Sequence, residues 1–429
     1  MAENEVDLWR FSSQLIVVIV GALCLSPSVC SGDEAGLRTR TDFTCGGSIT
    51  AVVSDAANQE ITASKPGGWW AFRVQGCDSS RPLRIVMQTR KPEQQHPFVY
   101  LQADGGFELV SDGETVDKGG TTVRYTAENP ARSCLVARYA PYALADATKR
   151  LEQTRAAVTG SELFDLGPTR EGRSVPGLRI KYPGVPESER FGVWIQARQH
   201  AWEVTGSWVA DGFLSWLASA DPRALELLGC ADIVVIPVFE PDGVERGIGW
   251  MSNPNTNRQW LLESPSVYPQ VERAQAMLRS FDARSRGLQV FFDLHCYTVT
   301  SGDSQHDWDY WATWFKGEQP NAQANEILKV AQEAVSSVPS SPFVSGIRDK
   351  YNPSYPGAGT RLAPQMAELW VRSQFPDAWT TTVEHSIFSR KRIDAGEKCP
   401  VPEDHRQRGP VIGRVILQYL RAAASATTD

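Results

Sequence analysis

The sequence lacks a surplus of positive charge. Lysine and arginine number 43 against 50 aspartates and glutamates, so the net charge is −7 at pH 7. A nucleic-acid-binding domain usually has a pI above about 9 and a basic stripe on one face. The charge balance therefore predicts that nucleic acid is not a partner.

The sequence also lacks two motifs that mark common catalytic sites. No two cysteines have the CxxC spacing, so a zinc or redox site built from cysteine is not indicated. No GxSxG sequence occurs either, which argues against a serine hydrolase with a nucleophile elbow. Histidines and carboxylates remain as the candidate chemistry.

No apolar run near the N-terminus is long enough to cross a bilayer. Leu15 to Leu25 is an uninterrupted apolar run of eleven residues, whereas a spanning helix needs about 20. Its length and the small residues that follow are typical of a secretory signal, although Arg10 is its only positive flank. We expect residues 1–32 to be a signal peptide and the protein to be secretory or extracellular, with no stable membrane span after cleavage. A buried helix or a short anchor is the alternative.

Cysteines are few but even in number after such a cleavage. An even number in a secreted chain permits disulfides, and their pairing stays open. The six residues are Cys45, Cys77, Cys134, Cys230, Cys296 and Cys399.

Two regions of different character follow. Residues 38–141 contain short segments rich in β-branched and aromatic residues, separated by Gly, Asp and Pro, which predicts a small all-β sandwich domain. Residues 142–425 alternate compact apolar runs with amphipathic helical patterns, which predicts an α/β domain with a mixed sheet flanked by helices. The apolar runs are 191–198, 232–239, 288–295 and 380–388, and the helical candidates are 143–156, 203–219, 267–282, 321–336, 363–373 and 410–424.

Three polar residues stand where a catalytic metal would need them. His200 and Glu203 lie three residues apart after the strand 191–198, and His295 ends the strand 288–295. Residues three apart in a helical turn face the same side. Two histidines and one glutamate leave a fourth position open, as catalytic zinc requires. The sequence therefore predicts one zinc ion held by these three side chains.

Other polar residues accompany the predicted metal site. Glu384, on the strand 380–388, is the candidate general base for a metal-activated water. Asp293 lies two residues before His295 and either orients an imidazole or makes a local structural hydrogen bond. Asn257 and Arg258 form a pair suited to a planar carboxylate, because an arginine fork binds both oxygens.

Four motifs, in the correct order, resemble those of the M14-type zinc metallocarboxypeptidases. They are ARQHAWEVTGSWV, EPDGV with NTNRQW, FFDLH and TTTVEHS. The resemblance covers roughly residues 140–425. The preceding β-rich segment, which ends in CLVARYAPYALAD, looks like the domain found before the catalytic domain in the cytosolic-carboxypeptidase-like subgroup.

The resemblance implies roles for single residues. His200, Glu203 and His295 would bind zinc, Glu384 would be the general base, and Asn257 with Arg258 would hold the terminal carboxylate of a peptide or protein tail. Tyr355, with Tyr351 as second choice, would be the tyrosine that closes over the substrate.

The sequence departs from the family pattern at two places. The arginine that stabilises the oxyanion in the family aligns near Met251. Either Arg246 substitutes for it, or the zinc carries more of that stabilisation. Trp202 stands where many relatives have glycine, which would narrow the approach to the metal.

The resemblance implies a zinc-dependent metallocarboxypeptidase that hydrolyses the C-terminal peptide bond. Two alternatives stay open: a zinc amidohydrolase or deacylase on the same scaffold, and a non-catalytic zinc-binding module. The pair Asn257-Arg258 favours the first function, since it presupposes a free carboxylate, and Glu384 argues against a mere binding module.

Overall fold

The protein is represented by a computed structural model. The description covers residues 36–89, 99–103, 106–110, 113–260, 266–282, 286–296, 309–312, 347–348, 365–385 and 401–426. The predicted signal peptide, Cys399 and the helical candidate 321–336 lie outside these residues.

The first ten strands form two five-stranded sheets that pack face to face. In chain order they are β1 Arg38–Arg40, β2 Thr50–Asp55, β3 Glu60–Ser64, β4 Ala71–Gln75, β5 Leu83–Gln88, β6 Val99–Ala103, β7 Gly106–Val110, β8 Glu114–Thr115, β9 Thr122–Ala127 and β10 Ser133–Ala137. The sheet orders are β1-β4-β10-β6-β7 and β2-β3-β5-β9-β8. Alternate residues such as Phe72 and Val74 from one sheet meet Ile85 and Tyr125 from the other in a common core. These strands confirm the predicted all-β region.

The chain then forms a mixed sheet with helices on both faces. Its elements are α1 Leu144–Ala157, β11 Ser161–Asp165, β12 Pro176–Lys181, β13 Phe191–Ala197, α2 Val204–Leu217, α3 Pro222–Cys230, β14 Ala231–Ile236, α4 Pro241–Glu245, α5 Pro269–Asp282, β15 Leu288–Cys296, β16 Asp309–Ala312, β17 Ile347–Arg348, α6 Ala367–Gln374, β18 Trp379–His385, α7 Pro402–Arg406 and α8 Arg408–Ala426. The strand order is β11-β12-β14-β13-β15-β18-β16-β17, and β14, β13, β15 and β18 run parallel. The predicted α/β fold class is confirmed.

The central strands β13 and β14 are buried along their whole length because helices cover both faces of the sheet. Every residue of β13 and β14 is buried, and parallel strands covered on both sides need no alternation of polar residues. One face packs against α2, α3 and α8, and the other against α5 and α6. The apolar runs 191–198, 232–239, 288–295 and 380–388 therefore correspond to β13, β14, β15 and β18.

The β region and the mixed sheet share a buried contact. Trp69 and Tyr139 from the β region lie in one apolar cluster with Trp202, Trp208 and Val244. Residues from Gly36 onward form one compact unit. The predicted boundary between residues 141 and 142 stays a prediction.

Within the described residues, no helix combines the length and the apolar character needed to cross a membrane. The five described cysteines are free thiols: Cys45, Cys77, Cys134, Cys230 and Cys296.

Helix α2, which begins directly after Glu203, is held against α7 by a close backbone approach. A Cβ atom on Gly212 would lie 1.9 Å from the carbonyl oxygen of Arg406. A substitution there must therefore push the two helices apart, and overpacking of this kind costs about 1–3 kcal/mol.

We expect Gly212→Ala to lower the free energy of unfolding by about 1–3 kcal/mol, measured by denaturant titration. Gly229→Ala in α3 is the matched control, because no atom lies within 4 Å of its added Cβ. That control should be neutral or stabilise by about 0.5–1 kcal/mol, since alanine favours the helix. Equal effects of the two substitutions would contradict the close approach.

Candidate metal centre

Three neighbouring parallel strands deliver the predicted site residues to one edge of the sheet. Strand β15 pairs in parallel with β13 on one side and with β18 on the other. His295 lies directly opposite Glu384 in the pairing of β15 with β18. His200 and Glu203 follow the carboxyl end of β13, in the turn that leads into α2. The strand pairing therefore brings together residues that are far apart in the chain.

His200, Glu203 and His295 converge into one buried cluster. The Nδ1 atom of His200 lies 2.7 Å from Oε1 of Glu203, and Nδ1 of His295 lies 2.7 Å from Oε2 of the same carboxylate. One potential ligand atom from each residue lies within 4.8 Å of the others. All three residues are buried, with at most 8% of their surface exposed.

The residues present fit a catalytic zinc ion. Both imidazoles turn the same atom, Nδ1, toward a single carboxylate, and two histidines with one glutamate are a known catalytic zinc set. A set of three protein ligands leaves a position for water or substrate. The geometry therefore supports the predicted metal site.

Electrostatics at the cluster favour an added positive charge. Burial alone would raise the pKa of Glu203, but the adjacent His200 and His295 outweigh it and lower this pKa to about 2. Burial would lower the pKa of His295, but the charges of Asp293 and Glu203 raise it well above its ordinary value. Either a proton on the imidazole or a bound cation satisfies two buried carboxylates in this way.

Asp293 lies against the ring of the second histidine. Its Oδ2 atom lies 3.0 Å from Nε2 of His295, on the side of the ring away from Glu203. The side-chain amide of Gln199 donates to the same carboxylate, and the oxygen of that amide accepts from Nε1 of Trp260 at 2.7 Å. A carboxylate behind a ligating imidazole fixes the ring and its tautomer. Of the two interpretations made from the sequence, the geometry favours orientation.

Asn255 is a site residue that the sequence did not reveal. Its Oδ1 atom lies 3.1 Å from Nε2 of His200 and accepts a hydrogen bond from the backbone N–H of Asn257 at 2.9 Å. Its Nδ2 atom contacts Sδ of Met251 at 2.9 Å. An asparagine directly before a short helical turn is a common capping residue, but nothing in that signal pointed to His200. Met251 therefore lies close to the cluster.

Glu384 reaches the cluster from the adjacent strand. Its Oε2 atom is buried and has no hydrogen-bond partner among the described residues. Burial and then the nearby charge of Glu203 raise its pKa to about 8, although His295 opposes this. A cation bound at the cluster would lower that pKa, because opposite charge favours the carboxylate.

Asn257 and Arg258 lie in a short helical turn, Thr256–Arg258, that Asn255 links to His200. Asn257 is buried and its Oδ1 accepts from the backbone N–H of Ala367 at 3.0 Å. The Nη1 atom of Arg258 donates to the carbonyl of Asn257 at 2.9 Å. The structure thus brings the predicted carboxylate clamp beside the metal cluster, while its role stays a prediction.

The other predicted site residues are distributed differently. Arg246, the candidate for the oxyanion, is half exposed and forms an ion pair with Glu171 at 3.1 Å. Its role stays a prediction. Tyr355 and Tyr351, the candidate closing tyrosines, lie outside the described residues.

Comparisons with known proteins identify a family that the chain is similar to. A family model described as "Zinc carboxypeptidase" (Peptidase_M14) matches residues 149–324. The predicted resemblance to the M14-type zinc metallocarboxypeptidases is confirmed.

Curated relatives narrow the resemblance to one subgroup. The chain is 25% identical over 268 residues to cytosolic carboxypeptidase 1 of Homo sapiens, a match that covers 55% of this chain and 22% of that protein. It is 29% identical over 267 residues to cytosolic carboxypeptidase 1 of Danio rerio, covering 55% and 23%. The chain thus spans under a quarter of the length of these two relatives.

Solved structures resemble the fold over most of the chain. A metallo-carboxypeptidase from Burkholderia cenocepacia has a TM-score of 0.71 at 20% identity, over 90% of this chain and 99% of that one. A metallo-carboxypeptidase from Pseudomonas aeruginosa, in complex with (2-guanidinoethylmercapto)succinic acid, has a TM-score of 0.70 at 18% identity, over 90% and 99%. At this identity the likeness establishes the fold alone.

The expected secretory or extracellular location is wrong. The curated relatives that the chain matches are named cytosolic carboxypeptidases, which conflicts with the expectation of a signal and of secretion. An apolar run of eleven residues next to small residues satisfies the composition of a signal core, but that composition alone does not determine the compartment.

Glu240, the first residue of the EPDGV motif, is a buried acid whose pKa is raised. Its side chain is 1% exposed, and burial raises its pKa to about 7. It accepts hydrogen bonds from the hydroxyl of Ser252 at 2.7 Å and from the backbone N–H of Gly243. The carboxyl therefore ties the start of α4 to the segment that leads to Asn255.

We expect Glu240→Gln to remove a pH dependence of stability. The folded-state pKa of about 7 lies above the ordinary 4.5, so the native state keeps a proton that the unfolded state releases. The unsubstituted protein should therefore lose stability relative to the variant as the pH rises from about 4.5 to 7, by on the order of 3 kcal/mol. Denaturant titrations of both proteins at pH 5 and pH 8 check this, and parallel pH profiles would contradict it.

Proposed function

We propose that the protein is a zinc-dependent metallocarboxypeptidase that hydrolyses the C-terminal peptide bond of peptides or protein tails. The observation that carries the proposal is the convergence of His200, Glu203 and His295 with Glu384 on the adjacent strand. These residues supply a metal-ligand set and a separate carboxylate whose Oε2 atom has no hydrogen-bond partner among the described residues, and a structural metal site does not need such a group. The family match supports the same activity.

In this proposal His200, Glu203 and His295 hold one zinc ion. When bound there, zinc supplies a Lewis acid that polarises a carbonyl oxygen and makes a water molecule more acidic. Asp293 keeps the His295 ring in the orientation that presents Nδ1, and Asn255 contacts the opposite side of the His200 ring. Both contacts fix the ligands before the ion arrives.

Glu384 acts as the proton carrier. Its Oε2 atom takes a proton from the water that adds to the scissile carbonyl and passes it to the nitrogen of the departing residue. The absence of a partner among the described residues leaves this atom able to accept that proton.

Arg258 and Asn257 bind the terminal carboxylate of the substrate. A guanidinium fork donates two parallel hydrogen bonds to a carboxylate, so it recognises both charge and shape. Asn255 contacts both the backbone N–H of Asn257 and Nε2 of His200, which supports a carboxylate clamp close to the proposed metal ligands. That proximity favours a carboxypeptidase over an amidohydrolase that acts on uncharged amides. Tyr355 is proposed to close over the substrate, as the family resemblance implies.

We further propose that the enzyme works in the cytosol. The names of the curated relatives place those proteins there, and the free thiols of the described cysteines are compatible with a reducing compartment.

We expect Glu384→Gln to retain zinc and to lose about 100- to 10,000-fold in kcat, because a general base contributes about that much. Metal content by atomic absorption and kcat on a peptide with a free C-terminus check the two parts. The isosteric amide keeps the shape of the side chain, so the fold should persist. A fully active variant would remove Glu384 from the mechanism.

We expect Arg258→Lys to raise KM for such a peptide and to lower kcat/KM by about 10- to 100-fold, since charge-assisted hydrogen bonds contribute about 1.5–3 kcal/mol. Arg246→Lys, which changes an arginine that is ion-paired with Glu171, is measured in the same assay for comparison. It tests the oxyanion assignment too, because a loss confined to kcat would indicate that role.

The substrate's own carboxylate provides the complementary test. The unsubstituted protein should cleave a peptide with a free C-terminus and leave its C-terminally amidated counterpart intact. Equal cleavage of the two peptides would overturn the carboxypeptidase assignment in favour of an amidohydrolase.

A further inference from the structure

Arg198 lies two residues before His200, in an unusual backbone conformation. The turn from His200 to Glu203, which carries two of the predicted metal ligands, is called the metal turn. Arg198 follows the last residue of β13 and is 2% exposed. Its φ of 67° lies in the left-handed region, which residues other than glycine seldom adopt. Such a conformation persists only where surrounding contacts hold it.

The guanidinium of Arg198 binds neutral oxygen atoms. Its Nε donates to the carbonyl of Ala201 at 2.8 Å, and Nη1 donates to the carbonyl of Tyr142 at 3.1 Å and to Oγ of Ser207 at 3.3 Å. None of the carboxylates in the described part of the chain lies within ion-pair distance of it. A buried cation usually has a paired anion. The contacts of Arg198 instead join backbone carbonyls and a hydroxyl from separate segments, which indicates that the side chain positions those segments.

The three acceptors lie in three different segments: the turn between His200 and Glu203, the first turn of α2, and the segment that precedes α1. Ala201 lies between the ligands His200 and Glu203. Ser207 lies in the first turn of α2, the helix that begins after Glu203. Its own hydroxyl donates to the carbonyl of Pro237. Tyr142 lies between the β region and α1.

Tyr142 is itself fixed against α2. Its hydroxyl contacts Oδ2 of Asp211 at 3.1 Å, and its ring meets Trp208 edge to face at 4.7 Å. Nε1 of Trp208 donates to the carbonyl of Ala140 at 3.0 Å. Arg198 therefore joins the end of the β region to the turn that carries two metal ligands.

We propose that Arg198 is a positioning residue for the metal centre. By holding the carbonyl of Ala201 it sets the separation and direction of His200 and Glu203, and through Tyr142 it couples that turn to the β region. The inference rests on the metal site of the proposed function. Arg198 itself does not touch the predicted ligand atoms.

The other end of β13 offers a matched control. Arg190 directly precedes β13, is 4% exposed and also donates to backbone carbonyls, those of Tyr182, Val185 and Ala231. It lies at the amino end of the strand, whereas the metal cluster lies beyond the carboxyl end. Substitution of either arginine removes a buried guanidinium and leaves carbonyls without a donor, but only one of the two carbonyl sets adjoins the metal ligands.

The experiment compares zinc affinity in Arg198→Met and Arg190→Met by competition with a chromophoric chelator, alongside thermal unfolding of the metal-free proteins. We expect both variants to unfold at lower temperature. Arg198→Met should bind zinc about 10- to 100-fold more weakly, the usual effect of losing a contact that orients ligands. Arg190→Met should bind zinc as tightly as the unsubstituted protein. Arg198→Lys should recover part of the affinity, because one ammonium reaches fewer of the three acceptors.

The outcomes separate this inference from the proposed function. Unchanged zinc affinity in Arg198→Met, or an equal loss in both methionine variants, would overturn the positioning role while the metal site stands. If the unsubstituted protein binds no zinc, the proposed function fails and the inference fails with it. Should Arg198→Met not fold, Arg198→Lys against Arg190→Lys decides, and equal zinc affinities would overturn the inference.

Discussion

The parallel pairing of β13, β15 and β18 is the constraint on which the site depends. His295 and Glu384 face each other across one pair of strands, and Ala197, at the end of β13, lies level with Leu294. A shift of one residue in either register would turn the side chains to the opposite face. The pairing of these strands therefore does more than stabilise the fold, because its register determines which carboxylate lies beside which imidazole.

The same edge of the sheet holds several buried carboxylates, and burying an unpaired charge is unfavourable. Glu203, Asp293 and Glu384 lie within reach of His295, and burial raises the pKa of Glu384 while the imidazoles lower that of Glu203. Carboxylates with pKa values displaced in opposite directions are typical of sites in which one binds and another exchanges a proton. A divalent cation would resolve the excess of negative charge, and this is the electrostatic reason to expect a metal here.

The sequence predicted those parts of the structure that depend on local patterns. Continuous apolar runs indicated β13, β14, β15 and β18, and the HxxE spacing indicated His200 and Glu203. It did not reveal the hairpin β11–β12 or helix α3, which are short and partly exposed. Asn255 and Arg198 also escaped, because each acts through contacts that exist only once distant segments have folded together. An asparagine in a turn and an arginine after a strand have no distinctive local signal, and only the three-dimensional structure gives them partners.

The contacts of Trp202 show a structural role that its position in the sequence did not indicate. Its place between the metal ligands suggested a bulky group that narrows the approach to the metal. That narrowing stays a prediction. Trp202 is 3% exposed, its ring stacks on that of Trp250 with the centroids 5.1 Å apart, and it belongs to the apolar cluster that includes Trp69 of the β region. The metal turn is thus held on both sides of Ala201, by the guanidinium of Arg198 on its carbonyl and by the indole that follows it. A β region that supplies none of the predicted ligands still bears on the metal site. Trp69 of that region packs in one cluster with Trp202, and Ala140 accepts a hydrogen bond from Trp208, which packs against Tyr142.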